Sequence, residues 1–239
     1  MFQGFSEKTN EFLWGIRFNN EKPWFEAHKQ EYIDHVQTPL RELANEVYER
    51  FTAAHPDLPI MVKVSRIYRD ARRLYGRGPY KSHLWFTLRM AGEDWAQMPA
   101  FWFGIHPSGY NHGMGVFDAK PAYMARFRKE IDQNPEPMMK LAKAFAGQER
   151  FVLDEDEYKR PKGNPPAPLD QWYNRKGIDL GCFRQIDSLL YSRELVDDIL
   201  AGYETLMPYY HYFTALGRVP SRVMRKIVCR LWLNEVSRQ

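Results

Sequence analysis

The spacing of apolar residues changes at residue 60, and this change limits the folds open to the chain. Before residue 60, apolar residues recur every three or four positions, which is typical of amphipathic helices. From Ile60 onward they alternate with polar residues, as in strands that bury one face. Helical spacing returns after Asp118. Helices, then strands, then helices is the order expected of an α+β fold.

The alternating region predicts four strands with short connections. They are expected at residues 60–64, 84–90, 101–106 and 110–117. If the first strand continues through Lys63–Arg69, Arg66 and Tyr68 lie on one face and Ile67 and Arg69 on the other. The expected architecture is a central, mainly antiparallel sheet, a meander at about 60–117, packed with N- and C-terminal helices.

The helical regions carry recognisable start and stop signals. Ser6 is expected to cap a first helix and Asn20 a long second one, which Pro39 should kink or split. Asp118 should cap a later helix. The remaining predictions are helices at 121–133 and 137–146, a hairpin of 151–153 with 158–160, a strand at 177–183, and a helix at 193–216 broken at Pro208.

The chain of 239 residues is interpreted as one α+β domain over 1–216, followed by a basic amphipathic helix or tail over 217–239. Its two cysteines, Cys182 and Cys229, form no metal-binding motif, so a reduced cytoplasmic protein is expected. We find no signal-peptide pattern and no apolar run of the roughly 20 residues that a membrane span needs. We therefore expect a soluble protein.

Positive charge is concentrated in two places. Residues 1–59 have six Lys and Arg against ten Asp and Glu, whereas residues 60–90 have eight against Asp70 alone. Residues 217–239 have six against Glu235. Two local concentrations in a chain of net charge +4 indicate a local anion site more than general polyelectrolyte behaviour.

The segment from Arg66 to Lys81 is the strongest functional signal. Arginine binds phosphate or carboxylate through two hydrogen bonds, and lysine adds a point charge. Asp70 could hold one neighbouring guanidinium rigid while the others face a ligand. Asn20 and Trp24 could add a polar edge and a stacking ring, although a helix cap and a core aromatic are the commoner roles. The candidate ligand-binding residues are Asn20, Trp24, Arg66, Arg69, Asp70, Arg72, Tyr80 and Lys81.

Several segments together resemble a known family. They are Phe5-Ser6, Phe12-Leu13, Asn19-Asn20, Trp24-Phe25, and above all Arg66-Ile67-Tyr68-Arg69-Asp70-Ala71-Arg72 followed by Pro79-Tyr80-Lys81. These segments are similar to those of DUF2461, a bacterial and fungal family of uncharacterised proteins. The resemblance runs from about Phe5 to Leu216 and implies an α+β fold, but it brings no activity. Arg73 stands where the family usually has phenylalanine.

Three functions remain open. The first, slightly preferred, is a pocket for a small anionic or phosphorylated ligand. The second is nucleic-acid binding, with arginines on phosphates and Trp85 or Trp102 stacking on bases. The third is a structural or interaction protein whose arginines pair with carboxylates of the opening helices.

The sequence names no catalytic residue, and the oligomeric state stays open. Asp70 is flanked by arginines, which should lower its pKa and make it a poor proton donor or acceptor near neutrality. His106 and His112 flank a turn, but no carboxylate or cysteine is closely spaced with them. We therefore expect no metal and no cofactor.

Overall fold

The structure, a computed structural model, describes residues 1–154 and 156–218. Its strands are β1 (Ile60–Val64), β2 (Leu84–Met90), β3 (Ala100–His106), β4 (Gly109–Gly115), β5 (Val152–Leu153) and β6 (Asp179–Gln185). Its helices are α1 (Glu7–Phe18), α2 (Lys22–Ala27), α3 (Lys29–Tyr32), α4 (Thr38–Ala54), α5 (Pro121–Gln133), α6 (Pro135–Ala146), α7 (Asp170–Tyr173) and α8 (Leu195–Arg218).

The strands form one antiparallel sheet in the order β1-β2-β3-β4-β6-β5. Ile60 pairs with Met90 and Leu84 pairs with Ile105, so β1, β2 and β3 follow one another as a meander. The predicted α+β class and central antiparallel sheet are confirmed. No helix in the described ranges combines the length and apolar character needed to cross a membrane.

Contacts between Cα atoms divide the chain into two compact units. The first comprises Met1–Ala91, Phe101–Gly113 and Cys182–Glu204. Of the described residues, the second comprises Gly92–Ala100, Met114–Gly181 and 205–218. The interpretation of 1–216 as a single domain stays a prediction. The predicted basic tail at 217–239 lies, from residue 219 on, outside the described residues.

The first unit contains the apolar face that the alternating pattern predicted. Three large apolar side chains of β2 and three of β3 are at most 1% exposed, and α4 contributes four more large apolar side chains that are equally buried. Each such side chain contributes about 1.5–3 kcal/mol when it leaves water. They are Leu84, Phe86, Leu88, Phe101, Phe103, Ile105, Leu40, Leu43, Val47 and Phe51.

The predicted effect of Pro39 is visible in the opening helices. The π-helical segment Ile33–Gln37 precedes α4, and Pro39 lies in the first turn of α4. Proline cannot donate to the carbonyl four residues earlier, which belongs to His35. The Thr9 hydroxyl donates to that carbonyl over 2.6 Å. A side chain of α1 therefore replaces the hydrogen bond that Pro39 removes.

Two predicted helix caps are wrong. The residue at the N-terminal cap of α2 is Glu21 instead of Asn20, and that of α5 is Lys120 instead of Asp118. Ser6 does precede α1 as predicted, and its N–H donates to the Thr9 hydroxyl over 3.2 Å. Asn20 is not a cap because its side chain binds a distant backbone, as described below.

Other local predictions are also corrected. β1 ends at Val64 instead of reaching Arg69. No hairpin joins 151–153 to 158–160, because Val152 pairs with Gly181 of β6 and the Tyr158 N–H donates to the Asn174 carbonyl over 2.9 Å. α8 continues through Pro208 although a break was expected there. Its buried neighbours Leu206, Met207, Tyr209 and Tyr210 show that packing outweighs the proline penalty.

The second unit has its own aromatic core. Trp172 of α7 is fully buried and stacks on Tyr209 with ring centroids 6.0 Å apart. The Tyr123 hydroxyl donates to the Phe213 carbonyl over 3.0 Å, and the Tyr209 hydroxyl donates to the Leu141 carbonyl over 3.0 Å. These bonds satisfy polar groups of otherwise apolar rings inside the unit.

Candidate functional site

A short backbone ladder in the first unit positions the residues that the sequence singled out. The Arg69 N–H donates to the Pro79 carbonyl, and the Lys81 N–H donates to the Ile67 carbonyl, each over 2.8 Å. These two bonds flank an isolated bridge between Tyr68 and Tyr80. The ladder therefore brings residues 67–69 beside 79–81, although nine residues lie between the two segments along the chain.

Asn20 holds this ladder from the side of the opening helices. Its amide nitrogen donates to the Tyr80 carbonyl and its amide oxygen accepts from the Tyr80 N–H, both at 2.9 Å. Gly78 allows this approach, because a Cβ at that position would lie 2.2 Å from the Asn20 amide oxygen. Both polar atoms of the Asn20 amide therefore have backbone partners, which makes its role here structural.

Tyr80 and Trp24 are packed among aromatic rings. Tyr80 is 3% exposed and stacks on Phe25 at 4.3 Å between centroids. Burial is the largest of the effects that raise the pKa of its hydroxyl. Trp24 stacks on His28 at 4.0 Å and lies against Gly15 of α1, where a Cβ would be 2.6 Å from its ring. Trp24 therefore packs α2 on α1.

Asp70 pairs with Arg72, as the sequence suggested for one arginine. The Arg72 Nε donates to one carboxylate oxygen over 3.1 Å and a terminal nitrogen donates to the other over 2.9 Å. The Arg72 N–H also donates to Asp70 over 3.0 Å. This bidentate pair fixes the short 3₁₀ turn Ala71–Arg73. The hydrogen bond that Arg72 donates to the Asp70 carboxylate raises the pKa of Arg72.

Arg66, Arg69 and Lys81, which we call the cationic cluster, have no carboxylate partner within 1–154 and 156–218. Arg69 donates from Nε to the Tyr80 carbonyl over 2.8 Å, and Lys81 donates from Nζ to the Arg66 carbonyl over 2.8 Å. Burial and the positive charges of both arginines lower the pKa of Lys81. Burial and Arg77 lower that of Arg69.

Carboxylates of the opening helices pair elsewhere. Glu46 accepts from Arg193 over 2.9 Å, and Glu26 lies 3.8 Å from Lys29. The cationic cluster therefore keeps a positive charge that these acidic side chains do not neutralise. Arg66 is exposed, while Arg69 and Lys81 are half-buried. Two of the three hydrogen-bond donors of Lys81 and the terminal nitrogens of Arg69 remain available for an acceptor.

Two histidines lie beside the cationic cluster, and sequence reasoning did not include them in the site. The rings of His83 and His106 are 6.2 Å apart between centroids. The pKa of His83 is lowered by burial and, to a smaller extent, by the charges of His106 and Lys81. The pKa of His106 is lowered by burial and by the charge of Arg17. The His83 residue is nevertheless exposed to solvent, so its removal from water is partial. Both shifts favour neutral imidazole near pH 7.

The same sheet face carries Trp85 and Trp102. Trp85 is opposite Gly104, and Thr87 is opposite Trp102, so the two tryptophans are diagonal neighbours on β2 and β3. The Lys81 ammonium lies 5.9 Å from the centre of the Trp85 ring. Residues two apart in an extended chain share a face, so the spacing of His83 and Trp85 was a sequence signal for this arrangement.

The two histidines flanking the β3–β4 turn do not form a metal site. His112 is fully buried, with Asp198 4.0 Å away, whereas His106 is half-buried beside Ser108, its Nδ1 3.3 Å from the hydroxyl. Over the described part of the chain, no three His, Cys, Asp or Glu side chains are grouped so that they could hold a metal ion.

Comparison with known proteins identifies the family. A family model described as "Conserved hypothetical protein (DUF2461)" matches residues 8–212. The match covers most of the chain, including Asn20, the ladder and the sheet, so the chain belongs to the DUF2461 family. The comparison with curated proteins finds no match.

Proposed function

We propose that this protein binds a small anionic ligand, of the phosphate or carboxylate class, at the cationic cluster. The observation that carries the proposal is that Arg66, Arg69 and Lys81 converge on one ladder without a carboxylate partner, while the nearby Asp70 is held by Arg72. An anion there would counteract the burial and the repulsion from Arg69 and Arg66 that together lower the pKa of Lys81.

The chemistry of these side chains favours a planar or tetrahedral oxyanion. The Arg69 guanidinium is fixed through Nε, so its terminal nitrogens are presented with little loss of conformational freedom. Lys81 is likewise held by the Arg66 carbonyl. A charged hydrogen bond contributes about 1.5–3 kcal/mol. Three such donors sum to about 4.5–9 kcal/mol before the cost of association is subtracted, so the dissociation constant should be no lower than about the micromolar range.

The test is isothermal titration of the full-length protein with inorganic phosphate, pyrophosphate and malonate. Arg66→Ala removes a side chain that is exposed and makes no hydrogen bond or ion pair in the described residues, so the fold should survive. We expect this variant and Lys81→Met each to weaken binding about tenfold or more. The matched control is Arg50→Ala, which removes an exposed arginine that pairs with Asp197 and is not part of the cluster, so it should change affinity less than about twofold.

Equal affinities in Arg66→Ala, Lys81→Met and wild type would refute the proposal, as would the absence of anion binding. The nucleic-acid alternative has one observation in its favour, since Trp85, Trp102 and Lys81 share the sheet face. It predicts that a single-stranded oligonucleotide binds far more tightly than pyrophosphate. It also predicts that the affinity for the oligonucleotide falls as salt is added, with a slope of several units in a plot of log affinity against log salt concentration. A flat salt response would remove that alternative.

A further inference from the structure

Two polar atoms converge above a glycine in the middle of β3. At Gly104 a Cβ would lie 2.5 Å from the Asn111 Oδ1 and 2.6 Å from the His83 Nε2. The two atoms are therefore within about 5 Å of each other, and the strand between them has no side chain. Glycine inside a strand often marks a place where another group approaches the backbone closely.

Asn111 has an unused acceptor at this point. Its Oδ1 is inaccessible to solvent and has no hydrogen-bond partner among the described residues. Buried polar atoms almost always have a partner, so an orphaned one calls for an explanation. Asn111 as a whole is half-buried, so a turn of its amide exposes this oxygen to an entering hydroxyl group. A hydroxyl is a fitting partner, because it can donate to Asn111 and accept from, or donate to, the neutral imidazole of His83.

Aromatic rings border the same spot. Trp85 is directly opposite Gly104, and Trp102 is two residues away on the same face of β3. Both rings are half-buried, so each keeps some surface in contact with solvent. Pockets for small molecules typically combine such apolar surfaces with a few well-placed polar groups. Ring faces accept the C–H surface of a sugar, while Asn111 and His83 are placed for its hydroxyls.

The cationic cluster is next to this spot. Lys81 is two residues before His83, and its ammonium lies over Trp85 at 5.9 Å. Lys81 is also close enough to His83 for its positive charge to act on the imidazole ring. We propose that the site is bipartite: the cationic cluster holds a phosphate, and His83, Asn111 and the tryptophans bind the hydroxyl-bearing ring of a phosphorylated sugar. This inference rests on the proposed function and specifies its ligand class.

The experiment compares three ligands by isothermal titration: inorganic phosphate, glucose 6-phosphate, and cyclohexylmethyl phosphate, which has a six-membered ring without hydroxyls. We expect wild type to prefer glucose 6-phosphate over cyclohexylmethyl phosphate by about tenfold or more. Asn111→Leu has nearly the same shape but no acceptor, and it should reduce this preference below about twofold. Its affinity for inorganic phosphate should stay at the wild-type value.

A second variant guards against misfolding of the first. Gly104→Ala keeps every functional group but pushes His83 and Asn111 away from the strand, so it should also lose the preference. In NMR spectra of the wild type, the Asn111 side-chain amide should shift with glucose 6-phosphate and stay in place with inorganic phosphate.

The outcomes separate the two proposals. Equal affinities of wild type for the two ring phosphates, with inorganic phosphate bound, would overturn the sugar subsite and leave the proposed function standing. A preference that survives in both Asn111→Leu and Gly104→Ala would also overturn the subsite. No binding of any phosphate would overturn both proposals.

Discussion

Replacing Asn20 by alanine tests whether one amide side chain holds the ladder that presents the cationic cluster. Asn20→Ala removes two hydrogen bonds of 2.9 Å to the Tyr80 backbone and leaves the Tyr80 N–H without an acceptor. The Tyr80 carbonyl keeps the Arg69 Nε as a donor, so only the N–H is orphaned. Two lost hydrogen bonds and one unsatisfied donor sum to about 2–4 kcal/mol.

The chain contains two compact units, so a local measurement is needed beside global unfolding. We expect hydrogen exchange of the Tyr80 amide to accelerate by a factor of about 30 or more, together with a lower unfolding free energy in urea. Gly78→Ala should act through the same contact, because its Cβ would overlap the Asn20 side chain. The double variant should then lose less than the sum of the single variants, by at least about 1 kcal/mol.

The neighbouring Asn19 provides the matched control. Its side chain donates to the Gly15 carbonyl over 3.1 Å at an exposed position, so Asn19→Ala should have an effect below about 1 kcal/mol. The reasoning would be refuted if Asn20→Ala were as stable as Asn19→Ala and the Tyr80 amide exchanged at the wild-type rate. Strict additivity of the Asn20 and Gly78 substitutions would contradict the shared contact.

Two further outcomes follow from the charges of the site. Folding lowers the pKa of His83 and His106, so the unfolded chain binds protons more readily than the folded one. The free energy of unfolding should therefore be constant above about pH 6.5, the pKa of an unperturbed histidine. It should fall as the pH drops through the pKa values of the two histidines in the folded protein. His83→Gln should make that decline shallower in urea titrations at pH 7 and 5, and an unchanged slope would contradict this account. Phosphate bound at Lys81 should raise the pKa of His83 measured by NMR, since a nearby anion favours imidazolium; a pKa independent of phosphate would place the anion elsewhere.

Local sequence patterns predicted the helices and strands well, because the formation of a helix or strand depends mainly on neighbouring residues along the chain. The period of two identified β2 almost to the residue, and the helical spacing identified α5 with its bounds at Pro121 and Gln133. The predictions failed where a distant partner was involved. Asn20 looked like a helix cap because asparagine often is one, but its amide binds Tyr80, 60 residues away. β5 was assigned to the wrong partner because a strand of two residues carries no pairing information of its own.

The amino-acid sequence alone determined the order of helices and strands, the buried face of the sheet, and the excess of positive charge between residues 60 and 90. Those properties follow from periodicity and composition, which are local. Only the tertiary structure decided which cations are paired: Asp70 is joined to Arg72, while Arg66, Arg69 and Lys81 keep their charge. It also brought His83 and Asn111 together over Gly104. That meeting depends on how three chain segments lie side by side, and no short-range pattern encodes a contact between residues so far apart.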